Sequence, residues 1–345
     1  MKFAFTVFSG KTNIMQSRKE LFDELIGGTL PSRTLFRPIL MHFAARFGGA
    51  TYGEFASDYK TLVDCNIRSM EYFDTDMVGL ISDPYRETSA FGAKISFPDE
   101  AVPRCENIIV KTLQEVKQLK NPDVYKSPRT LDRIRGAELF QKELKGAVPV
   151  IGWIEGPLAE ACDLAGISEF LMKIMVEPDF SNELMDKCVI TAKEFAVAQL
   201  NAGCDVIGIG DAICSQIDPA TYDLHVRDRH SEIISFIQEK GGRVKLHICG
   251  DITHLLPSIA GLNADILDLD HAVDLHHARD VVGPRPILCG NINPVLIQDL
   301  PPEEIEMKVT DMVNSMKGQK YILSAGCEIT VSTDPENLLA MSRSR

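Results

Sequence analysis

From residue 37 onward, short runs rich in Val, Ile and Leu alternate with longer amphipathic stretches. The runs occupy residues 38–43, 77–83, 148–154, 205–210, 244–249, 266–270, 286–290 and 321–325. Each is continuously apolar rather than alternating, the pattern of a parallel strand covered on both faces. Between them, segments such as 180–201, 222–240 and 302–317 carry helical spacing. Ser181-Asn182 near the start of the first and Gly241-Gly242 after the second are start and stop signals. Eight strands each followed by a helix predict an α/β fold, a single-domain (β/α)₈ TIM barrel. A doubly wound open sheet would alternate in the same way, and the pattern alone does not choose between the two. The length of 345 residues suits one large barrel.

Two stretches depart from the simple repeat. Residues 1–36 precede the first run, with a helix expected around 17–25 that would cap or flank the barrel bottom. Residues 84–147 exceed a simple strand–helix unit and carry turn signals at Asp83-Pro84, Asn121-Pro122 and Ser127-Pro128. They also hold two amphipathic stretches, 106–119 and 131–144. They read as an insertion over the catalytic face, where lids and specificity loops commonly lie. The last stretch, 337–345, is short for a closing helix. The apolar start, 1–10, lacks a small-residue cleavage pattern, so no signal peptide is expected. There is no internal repeat.

Composition narrows the function class. A net charge of -13 without any Lys/Arg-dense stripe argues against a nucleic-acid binder and against docking on an anionic membrane. No apolar run approaches the roughly 20 residues of a membrane-spanning helix. Hydrophobic content of 45% is that of an ordinary globular protein. Nine scattered cysteines fit thiols and metal ligands in a reducing cytoplasm better than disulfides.

Catalysis in such barrels sits at the C-terminal ends of the strands. Those ends read His42, Asp83, Glu155, Asp211, His247 with Cys249, Asp270, Asn291 and Cys327. One imidazole and two thiols are ligands that zinc prefers, and a catalytic zinc keeps three protein ligands and one open position. In a strand, residues i and i+2 point to the same side, so His247 and Cys249 can reach one ion. Taken singly, Cys249 reads as a small buried hydrophobe and His247 as a core histidine. Together with Cys327 they read as a zinc site.

Three motifs carry a family resemblance. They are His247-Ile-Cys249-Gly250-Asp251, then Cys289-Gly290-Asn291-Ile292-Asn293-Pro294, then Ser324-Ala325-Gly326-Cys327-Glu328 followed by Asp334-Pro335-Glu336-Asn337. They resemble the uroporphyrinogen decarboxylase superfamily, and more narrowly its cobamide-dependent methyltransferase branch. The resemblance implies an eight-stranded barrel with a catalytic zinc held by His247, Cys249 and Cys327. It also implies a carboxylate near the metal at Asp270, as a fourth ligand or as a partner orienting His247. Plain N-capping of the next helix is the structural alternative for Asp270. The decarboxylases are similar at Ile81-Ser82-Asp83, where the family places its catalytic aspartate. They are similar too at 41–46, where an Arg-Gln-Ala-Gly-Arg run binds substrate carboxylates. Here that run is His42-Phe43-Ala44-Ala45-Arg46, without the first arginine. The function expected is methyl transfer between a small substrate and a corrinoid cobalt, the substrate being an aryl methyl ether donor or a thiol acceptor such as coenzyme M. His42, Arg46, Glu155, Asp211 and Asn291 are the expected substrate-pocket residues, and Asp83 and Asp270 the expected catalytic carboxylates. Asp274-Leu275-His276-His277-Ala278-Arg279 approaches a cobalamin-binding Asp-x-His-x-x-Gly motif, but Arg279 replaces the glycine. The corrinoid is therefore expected on a separate partner protein, and the Asp274 segment reads as a helix start. His225, His230 and His254 receive no metal role. The oligomeric state is left open, a homodimer included. A porphyrinogen decarboxylase and a non-catalytic tetrapyrrole-binding barrel are the alternatives.

Overall fold

The computed structural model describes residues 16–345, and the expectation for 1–10 lies outside the described residues. Eight parallel strands form one sheet: Leu35–Phe36, Val78–Gly79, Val150–Glu155, Val206–Gly210, Arg243–Ile248, Ile266–Leu269, Ile287–Ile292 and Tyr321–Ala325. From the second to the eighth, each strand pairs with the next, and the eighth pairs back onto the first. That cyclic order excludes the doubly wound alternative, in which the order reverses at the centre. The seam between the first two strands is bridged by Asp76. Its N–H donates to Phe36 O at 2.8 Å, and its carboxylate accepts from Phe36 N at 2.8 Å and from Arg33 and Arg345. The architecture is a TIM-like barrel.

The first strand lies earlier than the apolar run at 38–43 predicts. The N–H of Arg37 donates to Leu323 O at 2.9 Å, and then Pro38, which has no N–H, ends the ladder. Only Ile39 makes an isolated bridge, to Glu328, and a helix, His42–Gly48, follows. His42 therefore opens a helix instead of ending a strand.

The N-terminal helix spans Arg18–Ile26, capped by Ser17 and Glu20 in a reciprocal capping box. Its Leu21, Phe22 and Leu25 pack on Leu35, Met77, Ile151, Val206, Ile266, Ile287 and Ile322. Those residues lie at the beginnings of strands, so the helix plugs the barrel bottom, as expected. Burying three such side chains contributes roughly 1.5–3 kcal/mol each.

Between the second and third strands lie a helix Arg86–Ala90, a hairpin pairing Ile95–Ser96 with Arg104–Cys105, and helices Leu113–Gln118 and Pro128–Leu144. The last packs on the third strand as an ordinary barrel helix. The expected helix at 222–240 is two, Pro219–His225 and Arg227–Glu239. The short C-terminal stretch belongs to a helix, Pro335–Arg343, which buries Leu338, Ala340 and Met341. No helix among the described residues is long and apolar enough to cross a membrane.

Candidate metal centre

His247 is the fifth residue of the strand Arg243–Ile248, and Cys249 follows that strand directly. Cys327 stands two residues beyond the strand Tyr321–Ala325. The barrel brings all three together at its C-terminal end. His247 Nε2 is 3.0 Å from Cys249 Sγ, the two sulfurs are 3.7 Å apart, and Cys327 Sγ is 4.0 Å from His247 Nε2. Zinc–sulfur bonds of about 2.3 Å and zinc–nitrogen bonds of about 2.0 Å in a tetrahedron require edges of roughly 3.8 Å between sulfurs and 3.5 Å from nitrogen to sulfur. The observed triangle fits that frame, and these residues could hold a metal ion. His247 is buried, while both cysteines are half-buried and reached from the mouth.

The second imidazole nitrogen fixes the tautomer. His247 Nδ1 lies 3.1 Å from the carbonyl oxygen of Asp268, which can only accept, so Nδ1 carries a proton and Nε2 faces the sulfurs. The Asp268 carboxylate stands 3.4 Å from the same nitrogen and 2.5 Å from Lys245 Nζ. Burial would raise the Asp268 pKa, but Lys245 and His247 hold it well below the carboxylate range. Without a metal the three ligands share protons. The Cys249 and Cys327 sulfurs share a hydrogen bond; with it and His247 beside it Cys327 falls to about 4, and Cys249 is pushed up. Burial lowers His247, but Asp268 and Cys327 raise it more, to about 10. Both shifts favour protons on Cys249 and His247 over a bare pair of thiolates.

The aspartate that stands beside His247 Nδ1 is Asp268, not Asp270. Asp270 accepts from Gly250 N at 3.0 Å and Ala272 N at 3.1 Å, and sits 2.8 Å from His271 Nδ1. It pins the loop that follows Cys249. Asn291 donates to the carbonyls of Asp270 and Val273 and so braces the loop that carries Asp270, after the strand Ile266–Leu269.

The other expected residues are placed as follows. Asp83 is buried with both oxygens engaged, by Arg129 at 2.6 and 3.1 Å, by Ser82 Oγ at 2.5 Å and by Tyr85 N at 3.0 Å. Burial raises its pKa, but Arg129 and Arg86 outweigh that and hold it low. Glu155 is also buried, accepting from Arg86 at 2.7 Å and from the Trp153 indole at 3.1 Å. Burial pushes Glu155 up despite Arg86. Asp211 caps the helix Pro157–Ala165 through Leu158 N and Ala159 N, and its Oδ2 is 2.9 Å from His230 Nε2. Tyr222 completes that chain at His230 Nδ1, 2.9 Å away. Asp211, Cys214 and His230 form a second compact group of ligand types. All are fully buried and hydrogen-bonded, which is a structural network. His42 stacks on Tyr52 at 4.5 Å and donates its backbone N–H to Glu328 at 2.8 Å, while Arg46 is exposed and donates to Val331 O at 2.6 Å. Asp274 caps the helix Leu275–Val282, as the sequence reading expects.

Sequence reading missed Lys245, Asp268, Trp153 and Glu328. The signal for the first two was a Lys and an Asp inside apolar strands, each an even number of residues from a site residue. Trp153 is the one tryptophan; its ring lies across Gly208 and Gly210 of the next strand, where any Cβ would collide with it, and tilts against His247 at 6.4 Å. Glu328 is raised to about 7 by burial, with the Cys327 charge adding to the effect.

A uroporphyrinogen decarboxylase from Trichlorobacter lovleyi is 29% identical over 285 residues, 79% of this chain and 81% of its own. The methylcobamide:CoM methyltransferase MtaA of Methanosarcina barkeri is 27% identical over 221 residues, 63% of each chain. A solved structure described as a methyltransferase from Methanosarcina mazei shares the fold, with a TM-score of 0.87 at 19% identity over 95% of this chain and 98% of that one. The family model for uroporphyrinogen decarboxylase (URO-D) matches residues 18–345, and the chain belongs to that family of enzymes.

Proposed function

We propose that this protein is a zinc-dependent methyltransferase that moves a methyl group between a small substrate and the cobalt of a corrinoid held by a separate protein. The observation that carries this reading is the triangle of His247, Cys249 and Cys327 at the mouth. Zinc bound there would act as a Lewis acid, lowering the pKa of a thiol or stabilising a departing phenolate in its open position. The chain's own residues do the rest. Asp268 keeps the His247 proton on Nδ1, Asp270 holds the Cys249 loop through Gly250 N, Asn291 braces the loop carrying Asp270, and Trp153 walls the centre beside His247. The likeness to the methylcobamide:CoM enzyme supports a thiol acceptor.

The decarboxylase reading is favoured by Asp83 and by the curated decarboxylases among the relatives. Against it, the Asp83 carboxylate is fully engaged by Arg129, Ser82 and Tyr85, and His42 replaces an arginine suited to bidentate carboxylate recognition.

Metal analysis of purified wild type, Cys249→Ala and Cys327→Ala tests the reading, together with cobalt absorbance followed while free cob(I)alamin or methylcobalamin meets aryl methyl ethers or thiols. Near-stoichiometric zinc in wild type, its loss in both variants and zinc-dependent methyl exchange are expected. A metal-free wild type that decarboxylates a porphyrinogen would overturn it.

A further inference from the structure

Beneath the metal centre the barrel interior is charged where an apolar core would be more stable. Lys245 and His247 are two apart on one strand, and Asp268 pairs with His247 in the register of the next. Lys245 and Asp268 are each 1% exposed. Their ion pair is 2.5 Å long, His247 Nδ1 is 3.4 Å from the Asp268 carboxylate, and the buried Cys289 thiol and Arg37 guanidinium act on the same carboxylate. Burying such a pair costs several kcal/mol per ion in desolvation, and apolar replacements are often neutral or stabilising. Folding alone therefore does not account for the pair. Its contact with the centre is direct, because Asp268 meets His247 Nδ1 through its carbonyl at 3.1 Å and through its carboxylate at 3.4 Å.

We propose that Asp268 and Lys245 are positioning residues of the metal centre, Asp268 turning His247 Nε2 toward the ion and Lys245 locking the Asp268 carboxylate in place. The inference rests on the metal-centre reading and deepens it. Carboxylates behind a ligating histidine fix its ring and raise its basicity, and their loss typically weakens metal binding by about 10–100-fold.

The test is zinc affinity by chelator competition, with Co(II) absorption of the substituted protein as a second readout. Asp268→Asn and Lys245→Met should each weaken binding by about 10-fold or more and alter the Co(II) bands, while Lys245→Arg restores most of the affinity. Folded Asp268→Asn and Lys245→Met proteins with wild-type affinity and spectra would overturn the proposal. If neither variant folds, ¹⁵N NMR of histidine-labelled, zinc-loaded wild type decides. A proton on His247 Nδ1 with the metal on Nε2 supports it, and the opposite tautomer overturns it. A wild type that takes up no zinc would instead sink the metal-centre reading itself.

Discussion

Asp268 and Asp270 lie on the same side of one strand end, yet they do different work. The first reaches the imidazole, while the second ties down the Gly250 N–H of the loop after Cys249 and the Ala272 N–H of its own loop. Asp83 shows how a chemistry-bearing residue can be absorbed by an ion pair. Removing Arg129 leaves a buried carboxylate without its partner, so Arg129→Ala should cost about 3–5 kcal/mol in urea denaturation. Because Asp83 is held low when folded, its share of the stability is present above the unfolded value of about 3.9 and is lost as pH falls below it. The single tryptophan gives an optical reporter. Co(II) titration should quench Trp153 emission in wild type and leave it unchanged in Cys327→Ala. An equal response in both would place the ion elsewhere. Zinc binds thiolates and a neutral imidazole and so releases protons, and its apparent affinity should climb by roughly 10–100-fold per pH unit between pH 6 and 8. A flat profile in calorimetry would show that the ligands are not these.

At the scale of elements, the N-terminal helix is an amphipathic plug whose value lies in one face. Phe22 is 1% exposed beneath the strand starts. Phe22→Ala should destabilise by about 3–5 kcal/mol through the cavity left at the barrel bottom. Metal content at the opposite end should stay unchanged, and loss of zinc in a folded Phe22→Ala protein would contradict that separation. The first strand shows where element boundaries were hidden. An apolar run at 38–43 has the composition of a strand, but Pro38 ends the ladder, and the residues after it are buried by the helix His42–Gly48.

Across the whole molecule, charge is distributed unevenly. Glu87, Glu155, Glu160 and Asp163 gather behind the mouth with Arg86 as their shared cation, and burial raises all four, Asp163 to about 8. Unfolded, these carboxyls titrate near 4. The folded state keeps their protons to higher pH, so their contribution is favourable below pH 4 and is lost as pH rises toward 8. Asp163→Asn should therefore raise the thermal midpoint at pH 8.5 relative to wild type, by the equivalent of about 1 kcal/mol or more, with a smaller gap at pH 5. Equal gaps at both values would remove Asp163 from the account.

The alternation of apolar runs, the capped plug helix, the Asp274 helix start and the three metal-type ligands were legible in the chain, since periodicity, capping and ligand identity are local properties. The ladder order, and with it the TIM-like barrel, required the fold, because a doubly wound sheet alternates in the same way. So did the choice of Asp268 over Asp270, the engagement of Asp83 by Arg129, and the Trp153 ring laid across two glycines of its neighbour. Each depends on which residues from distant strands come to face one another, and strand pairing and register set that only when the whole sheet curls into a barrel.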